Sequence, residues 1–176
     1  MDEILIRKVS EPYGWMSNMS PHPVDHMHLT YRTTEALFQV MRFGFAEDPV
    51  RSPREDIREA IRGQRSPMAA KMIAKKHKDL MLVEQMSEED VQNMYFCLTL
   101  KIQQHKGLRP KLLATGDLPI IEDCSKRPHG SGPFWGAVWD GKEWKGENRL
   151  GKLWMKLRDV LRDYERRMAI LDSRNS

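Results

Sequence analysis

Between Ser87 and His105, Val91, Met94, Tyr95, Leu98 and Ile102 recur at helical spacing, with Glu88, Glu89 and Asp90 in the first turn where a helix dipole favours acids. This pattern predicts a long amphipathic helix. Other starts carry their own signals. Thr33 or Thr34 can cap "EALFQVMRFGF", and Ser66 before Pro67 offers a capping oxygen and a proline where no amide donor is needed. "RPKLLATG" reads as a short helix stopped by Gly116, and the closing helix is expected to bury Leu150, Leu153, Trp154, Leu157, Val160 and Leu161. Alternation in "ILIRKV" and "MHLTYR", and the apolar "PIIED", predict strands, while the Asp-Gly of "WDGKEW" predicts a hairpin. The class is α+β, mostly helical, with a small antiparallel sheet.

Composition narrows the setting. With 176 residues, 31% charged and 40% hydrophobic, the chain reads as one compact domain over 1–176, without repeat, low-complexity tract or linker. No stretch is apolar and long enough for a bilayer, and "MDEILIRKV" lacks the features of a secretory signal, so the expected location is the cytoplasm. Cys97 and Cys124 lie far apart without metal spacing and read as reduced thiols. The formal charge of +4 is too small to imply nucleic acid alone, and "KMIAKKHK" and "RDYERRM" read as solvated helix faces.

Candidate chemistry comes from spacing. Glu35, Gln39 and Arg42 stand at i, i+4 and i+7, a polar stripe beside Leu37, Phe38, Val40 and Met41. It either lines a cleft, where Glu35 handles a proton or faces a developing cation, or is a solvated stripe with an ion pair. Lys101 sits at the margin of its helix's apolar stripe, where a lysine either loses its proton and becomes a nucleophile or snorkels to water. Glu122 closes the "LPII" strand and points either into a site or into solvent. "HPVDHMH" places His26 and His28 on one strand face without a tetrahedral ligand set, so no metal is expected.

From Phe134 to Leu161, Trp135, Trp139 and Trp144 offer flat faces and Gly136 and Gly146 allow close backbone approach. A helix starting near Asn148 presents free amides to an anion. These are parts that fit a nucleotide. Equally, the tryptophans belong to the core, with at least one expected there, and Asn148 only caps the helix.

Across Gly14 to Leu161 the chain resembles the NADAR family, also called YbiA-like proteins. "GWMSNMSP" is similar to its G-x-F-S-N-F segment, with Met16 and Met19 in the phenylalanine places. "TTEALFQVMRF" resembles T-x-E-H-Y-F-Q-A-x-K-F, and "RSPMAAKMIAKK" resembles S-P-x-x-A-x-x-x-G/A. "LTLKIQQHKGLRPKLLATGDLPIIED" is similar to K-F-x-Q-x-x-x-L-x-x-x-L-L-x-T with its following L-V-E. "FWGAVWDGKEWKGENRLGKLWMKLRDVL" resembles the closing W-G-x-G…G-x-N-x-L-G-x-L-L-M-x-x-R.

The resemblance implies an N-glycosidase that needs no cofactor and cuts a base or amine from C1 of a ribose. Its substrates would be phosphoribosylated riboflavin-pathway intermediates, or ADP-ribosylated guanine and other ADP-ribose conjugates, including modified nucleic acid. It implies Glu35, Lys101 and Glu122 as catalytic residues and Asn18, Gln39, Arg42, Trp135, Gly136, Asn148 and Gly151 as substrate contacts, with Trp135 stacking on the base and the Asn148 to Gly151 turn holding phosphate. One departure is Arg42 where the family carries lysine. Guanidinium forms no imine, so the nucleophile falls to Lys101 and Arg42 is read as a phosphate or carboxylate partner. A module that binds ADP-ribose without turnover, and a basic nucleic-acid-binding domain, are the other readings.

Overall fold

A computed structural model describes residues 3–45 and 53–174. In chain order its elements are β1 (Ile4–Ile6), β2 (Val24–His26), β3 (Leu29–Tyr31), α1 (Thr34–Met41), α2 (Pro53–Arg62), α3 (Pro67–Lys76), α4 (Glu88–Gln104), α5 (Leu108–Leu113), β4 (Ile120–Glu122), α6 (Gly132–Trp135), β5 (Val138–Trp139), β6 (Trp144–Lys145) and α7 (Arg149–Arg174). The class is α+β and mostly helical, as expected. The chain gathers into two compact units, one continuous from Lys8 to Gln104, the other joining the segment through Arg7 to everything from His105 onward.

In the continuous unit, a side-chain cap starts α1, α3 and α4. Thr33 is extended and its Oγ1 accepts the Ala36 amide at 3.2 Å, while Ser66 Oγ accepts the Ala69 amide at 3.4 Å with Pro67 in the first turn. Ser87 Oγ accepts the Asp90 amide at 3.2 Å. α2, which no pattern above predicted, buries Ile57 and Ile61 at i and i+4, while the half-buried Arg54 and Arg58 donate to the Leu80 and Gly44 carbonyls. α1 packs against α2, α3 and α4, with Leu37, Phe38 and Val40 buried between them.

β2 and β3 form an antiparallel hairpin pairing Val24 with Tyr31 and His26 with Leu29. Its two-residue turn is Met27–His28, with φ of 49° and 61°. His28 therefore leaves the strand face on which it was expected beside His26. The turn takes the left-handed geometry that hairpins favour without the Asn-Gly or Asp-Gly that normally announces it. His26 instead contacts the edges of Phe45 and Phe96, with ring centroids 5.0 and 5.1 Å away.

The discontinuous unit pairs β1 with β4 in parallel, Ile4 opposite Ile120 and Ile6 opposite Glu122. The predicted strands thus do not join into one antiparallel sheet: β1–β4, β2–β3 and β5–β6 are separate two-stranded pairs. Parallel pairing needs a long connection, and residues 8–104 supply it. β5–β6 is the expected hairpin, with Asp140 Oδ1 accepting the Lys142 and Glu143 amides inside its turn.

α7 packs on β4 and α5 and buries Leu150, Leu153, Trp154 and Leu157. Val160 was expected on that buried side but is 51% exposed, because the helix has run past the strand it covers. The expected core tryptophan among Trp135, Trp139 and Trp144 is absent too; Trp154 fills that role. Among the described residues no helix is long and apolar enough to cross a membrane.

Candidate active site

The polar stripe of α1 is buried. Glu35 is 6% exposed, and Gln39 and Arg42 are buried beside it, so the solvated-stripe alternative does not hold. A buried carboxylate must be hydrogen-bonded to be tolerated. Gln39 Nε2 donates to Glu35 Oε1 at 2.8 Å, Arg42 Nη1 donates to Gln39 Oε1 at 3.0 Å, and Arg42 Nε and Nη2 each reach an Asp90 carboxylate oxygen at 2.8 Å. The Arg42 guanidinium also lies over the Phe38 ring, 4.4 Å from its centroid. Arg42 is thus a carboxylate partner, and the carboxylate is Asp90 of α4, a residue whose place in the first turn suggested only a favourable interaction with the dipole. Among the described residues no protein group donates to Glu35 Oε2.

Asn18 completes the start of α1. Its backbone oxygen accepts the Glu35 amide at 3.0 Å and the Thr34 hydroxyl at 3.1 Å, satisfying a first-turn donor that the helix itself leaves open. The turn that carries Asn18 also holds Lys101. Lys101 is fully buried (0% exposed), and its Nζ donates to Ser17 O at 2.9 Å and Ser20 Oγ at 2.6 Å. Snorkelling is therefore excluded, since no part of the ammonium reaches water. Burial brings its pKa down to about 7, so a large share of the side chain is neutral amine at neutral pH. Glu35 and Lys101 are in this way fastened to one short segment, Ser17 to Ser20. Beside it lies a cavity of about 340 Å³, lined by Met19, Pro21, Pro23, Arg32, Thr33, Arg65 and Pro67.

Glu122, Trp135, Gly136, Asn148 and Gly151 belong to the discontinuous unit, where close backbone packing organises them. Asn148 donates from Nδ2 to Ile120 O at 2.8 Å and accepts the Glu122 amide on Oδ1 at 3.1 Å, so its side chain is an extra rung on the edge of β4. A Cβ on Gly151 would stand 2.1 Å from Ile120 O, and one on Gly136 would stand 2.2 Å from Glu122 O. The close approach these glycines allow is to the chain's own strand. Both ends of Glu122 are pinned by this: Asn148 takes its amide and the Ala137 amide donates to its carbonyl at 2.8 Å.

Trp135 is half-buried and meets Phe134 edge to face at 5.1 Å. Trp139 is 45% exposed and packs on Trp144, whose Nε1 donates to Glu3 at 2.8 Å. Among the described residues no group of three His, Cys, Asp or Glu side chains could hold a metal ion.

The family model described as "NADAR domain" matches residues 5–162, most of the chain and both units. The chain belongs to the NADAR family. It is 35% identical over 153 residues to the N-glycosidase YbiA of Escherichia coli, covering 86% of this chain and 84% of that one. It is also 29% identical over 165 residues to the N-glycosidase Npun_R5314 of Nostoc punctiforme, covering 91% and 93%. The NMR structure of Escherichia coli YbiA superposes with a TM-score of 0.68 at 31% identity over 94% of this chain and 89% of that one. A maize protein named for riboflavin biosynthesis, PYRR, is 28% identical over 163 residues, 88% of this chain but 24% of its own length. This NADAR protein is accordingly an enzyme of the N-glycosidase class, a hydrolase acting on N-glycosyl compounds.

Proposed function

We propose that this NADAR protein hydrolyses the bond between C1 of a ribose and a base or amine on a phosphate-bearing substrate. The substrate is either a phosphoribosylated intermediate of riboflavin metabolism or an ADP-ribose conjugate such as ADP-ribosylated guanine. The observation that carries the reading is the buried Glu35, with one carboxylate oxygen held by Gln39 and no protein group among the described residues donating to the other. As the C1–N bond breaks, its electron pair leaves with the base and positive charge develops on C1 and the ring oxygen. A fixed carboxylate in a dry site stabilises that charge strongly, because no solvent must reorganise. Glu35 Oε2 then takes a proton from the water that adds to C1.

Lys101 supplies a second group. Its amine, neutral in large part near pH 7, can condense with C1 of an opened ribose, expelling the base and leaving an imine that water later releases. Arg32 and Arg65 on the cavity wall fit the phosphate of the substrate, a role that the fastening of Asn148 and Gly151 to β4 makes unnecessary at the start of α7. The match of one family model to residues 5–162 supports treating 1–176 as one catalytic domain. The maize relative's name supports the riboflavin-pathway substrate.

The test is chromatographic detection of free base from a phosphoribosylaminopyrimidine and from an ADP-ribosylated guanine oligonucleotide, with borohydride added in parallel. Release lost in Glu35→Gln supports the glycosidase reading, and a reduced adduct on Lys101 identifies the imine route. Binding of ADP-ribose without release from either substrate leaves a binding module instead.

A further inference from the structure

We infer that Asp90, acting through Arg42 and Gln39, is a positioning residue for Glu35. A side-chain amide of glutamine can turn either end toward a neighbour, and a carboxylate beside it is served only by the NH2 end. Arginine settles the choice because guanidinium only donates. With Arg42 Nη1 directed at Gln39 at 3.0 Å, the atom it meets must be Oε1, and Nε2 is thereby turned to Glu35 at 2.8 Å.

The guanidinium is fixed in turn. Asp90, fully buried, takes Nε and Nη2 in a two-pronged contact, and its Oδ2 also accepts the Met86 amide at 2.9 Å. The order Asp90, Arg42, Gln39, Glu35 therefore contains no interchangeable orientation. Asp90 also engages the charge of Arg42 in a pair that does not involve Glu35. Without it, the carboxylate left to Arg42 in this network is Glu35, two turns earlier in sequence on the same face, and pairing there would neutralise the charge meant to oppose C1. An isolated ion pair between α1 and α4 would need only Asp90 and Arg42. The further link to Gln39, and from Gln39 to the carboxylate, is what assigns a role in the reaction.

This inference rests on the proposed role of Glu35, and the experiment keeps the two apart. The double variant Arg42→Met/Asp90→Leu exchanges a buried ion pair for apolar side chains of similar size, a change that folds tolerate well. Base release and thermal unfolding are measured on the native chain, the double variant, and Asp90→Asn. The expected result for the double variant is a melting temperature within a few degrees of native, KM within about twofold, and kcat lower by about 100-fold, the scale of a misplaced catalytic group. A folded double variant with native kcat overturns the inference and leaves the pair as structural.

A second readout needs no turnover. In the native protein the Gln39 side-chain amide protons should exchange slowly and give a dispersed NMR signal, and the double variant should lose both. If the native chain released no base, the function proposed for Glu35 would fall while this signal still reported the relay. Fast exchange in the native chain would overturn the relay itself.

Discussion

The two units solve opposite packing problems with polar groups. In residues 8–104, side chains that water would normally claim are buried and satisfied by one another: Glu35 by Gln39, Gln39 by Arg42, Arg42 by Asp90, Lys101 by Ser17 and Ser20. In residues from 105 onward, the polar and glycine positions that resemble a nucleotide site are turned on the backbone of β4. The first arrangement keeps reactive groups desolvated yet held, which is what charge stabilisation requires. The second makes a strand and a helix start approach closely enough to fix the backbone of Glu122. Motif resemblance treats both as contacts for substrate; in the structure the first set is bonded side chain to side chain and the second is packed on backbone.

The sharpest way to break that contrast is Glu35→Gln. The amide keeps an oxygen for Gln39 to donate to, so unfolding should stay near native while kcat/KM for base release falls by about 1,000-fold or more. Native turnover in this variant would move Glu35 to the structural side.

Next comes Lys101→Met, followed as stability against pH. Lys101 titrates near 7 when folded and near 10.5 when unfolded, so between these values the unfolded chain holds more protons and stability must rise with pH. The contribution is complete above 10.5 and is lost as pH falls through 7. Urea midpoints from pH 7 to 10 should climb in the native chain, on the order of a few kcal/mol in all, and the climb should vanish in Lys101→Met. A slope shared by both would mean that a group other than Lys101 sets it.

A smaller effect tests the other unit. Gly151→Ala should cost about 2–3 kcal/mol of stability, since its methyl would collide with Ile120 O. If Gly151→Ala instead left denaturation unchanged and weakened only phosphate-bearing substrates, the close packing proposed for this turn would be wrong. Trp139→Ala should do least, under about 0.5 kcal/mol by the same denaturation, because that residue is 45% exposed and its ring meets Trp144 at the surface.

What could be read beforehand follows the reach of each interaction. Thr33, Ser66 and Ser87 were visible as helix starts because a cap bonds three residues ahead, within the window a sequence pattern covers. Asp90 was visible only as an acid in a first turn, since its partner Arg42 lies 48 positions away and nothing local names it. The Met27–His28 turn was hidden by its residues, neither of which signals left-handed backbone. The place of Asn148 before α7 suggests a substrate contact or a cap, whereas its side chain is on the strand 26 and 28 positions earlier. Spacing and resemblance both pointed to Glu35, Gln39 and Lys101; the partners that bury each one came from the fold.

The parallel pairing of β1 with β4 carries a consequence for synthesis. Residues 8–104 leave the ribosome as an uninterrupted stretch and gather into one compact unit. β1 leaves before any of it, yet its hydrogen-bonding edge waits for Ile120–Glu122. Glu35 and Lys101 can thus be in place before β1 has found its neighbour, so a strand made ahead of residues 8–104 pairs after them.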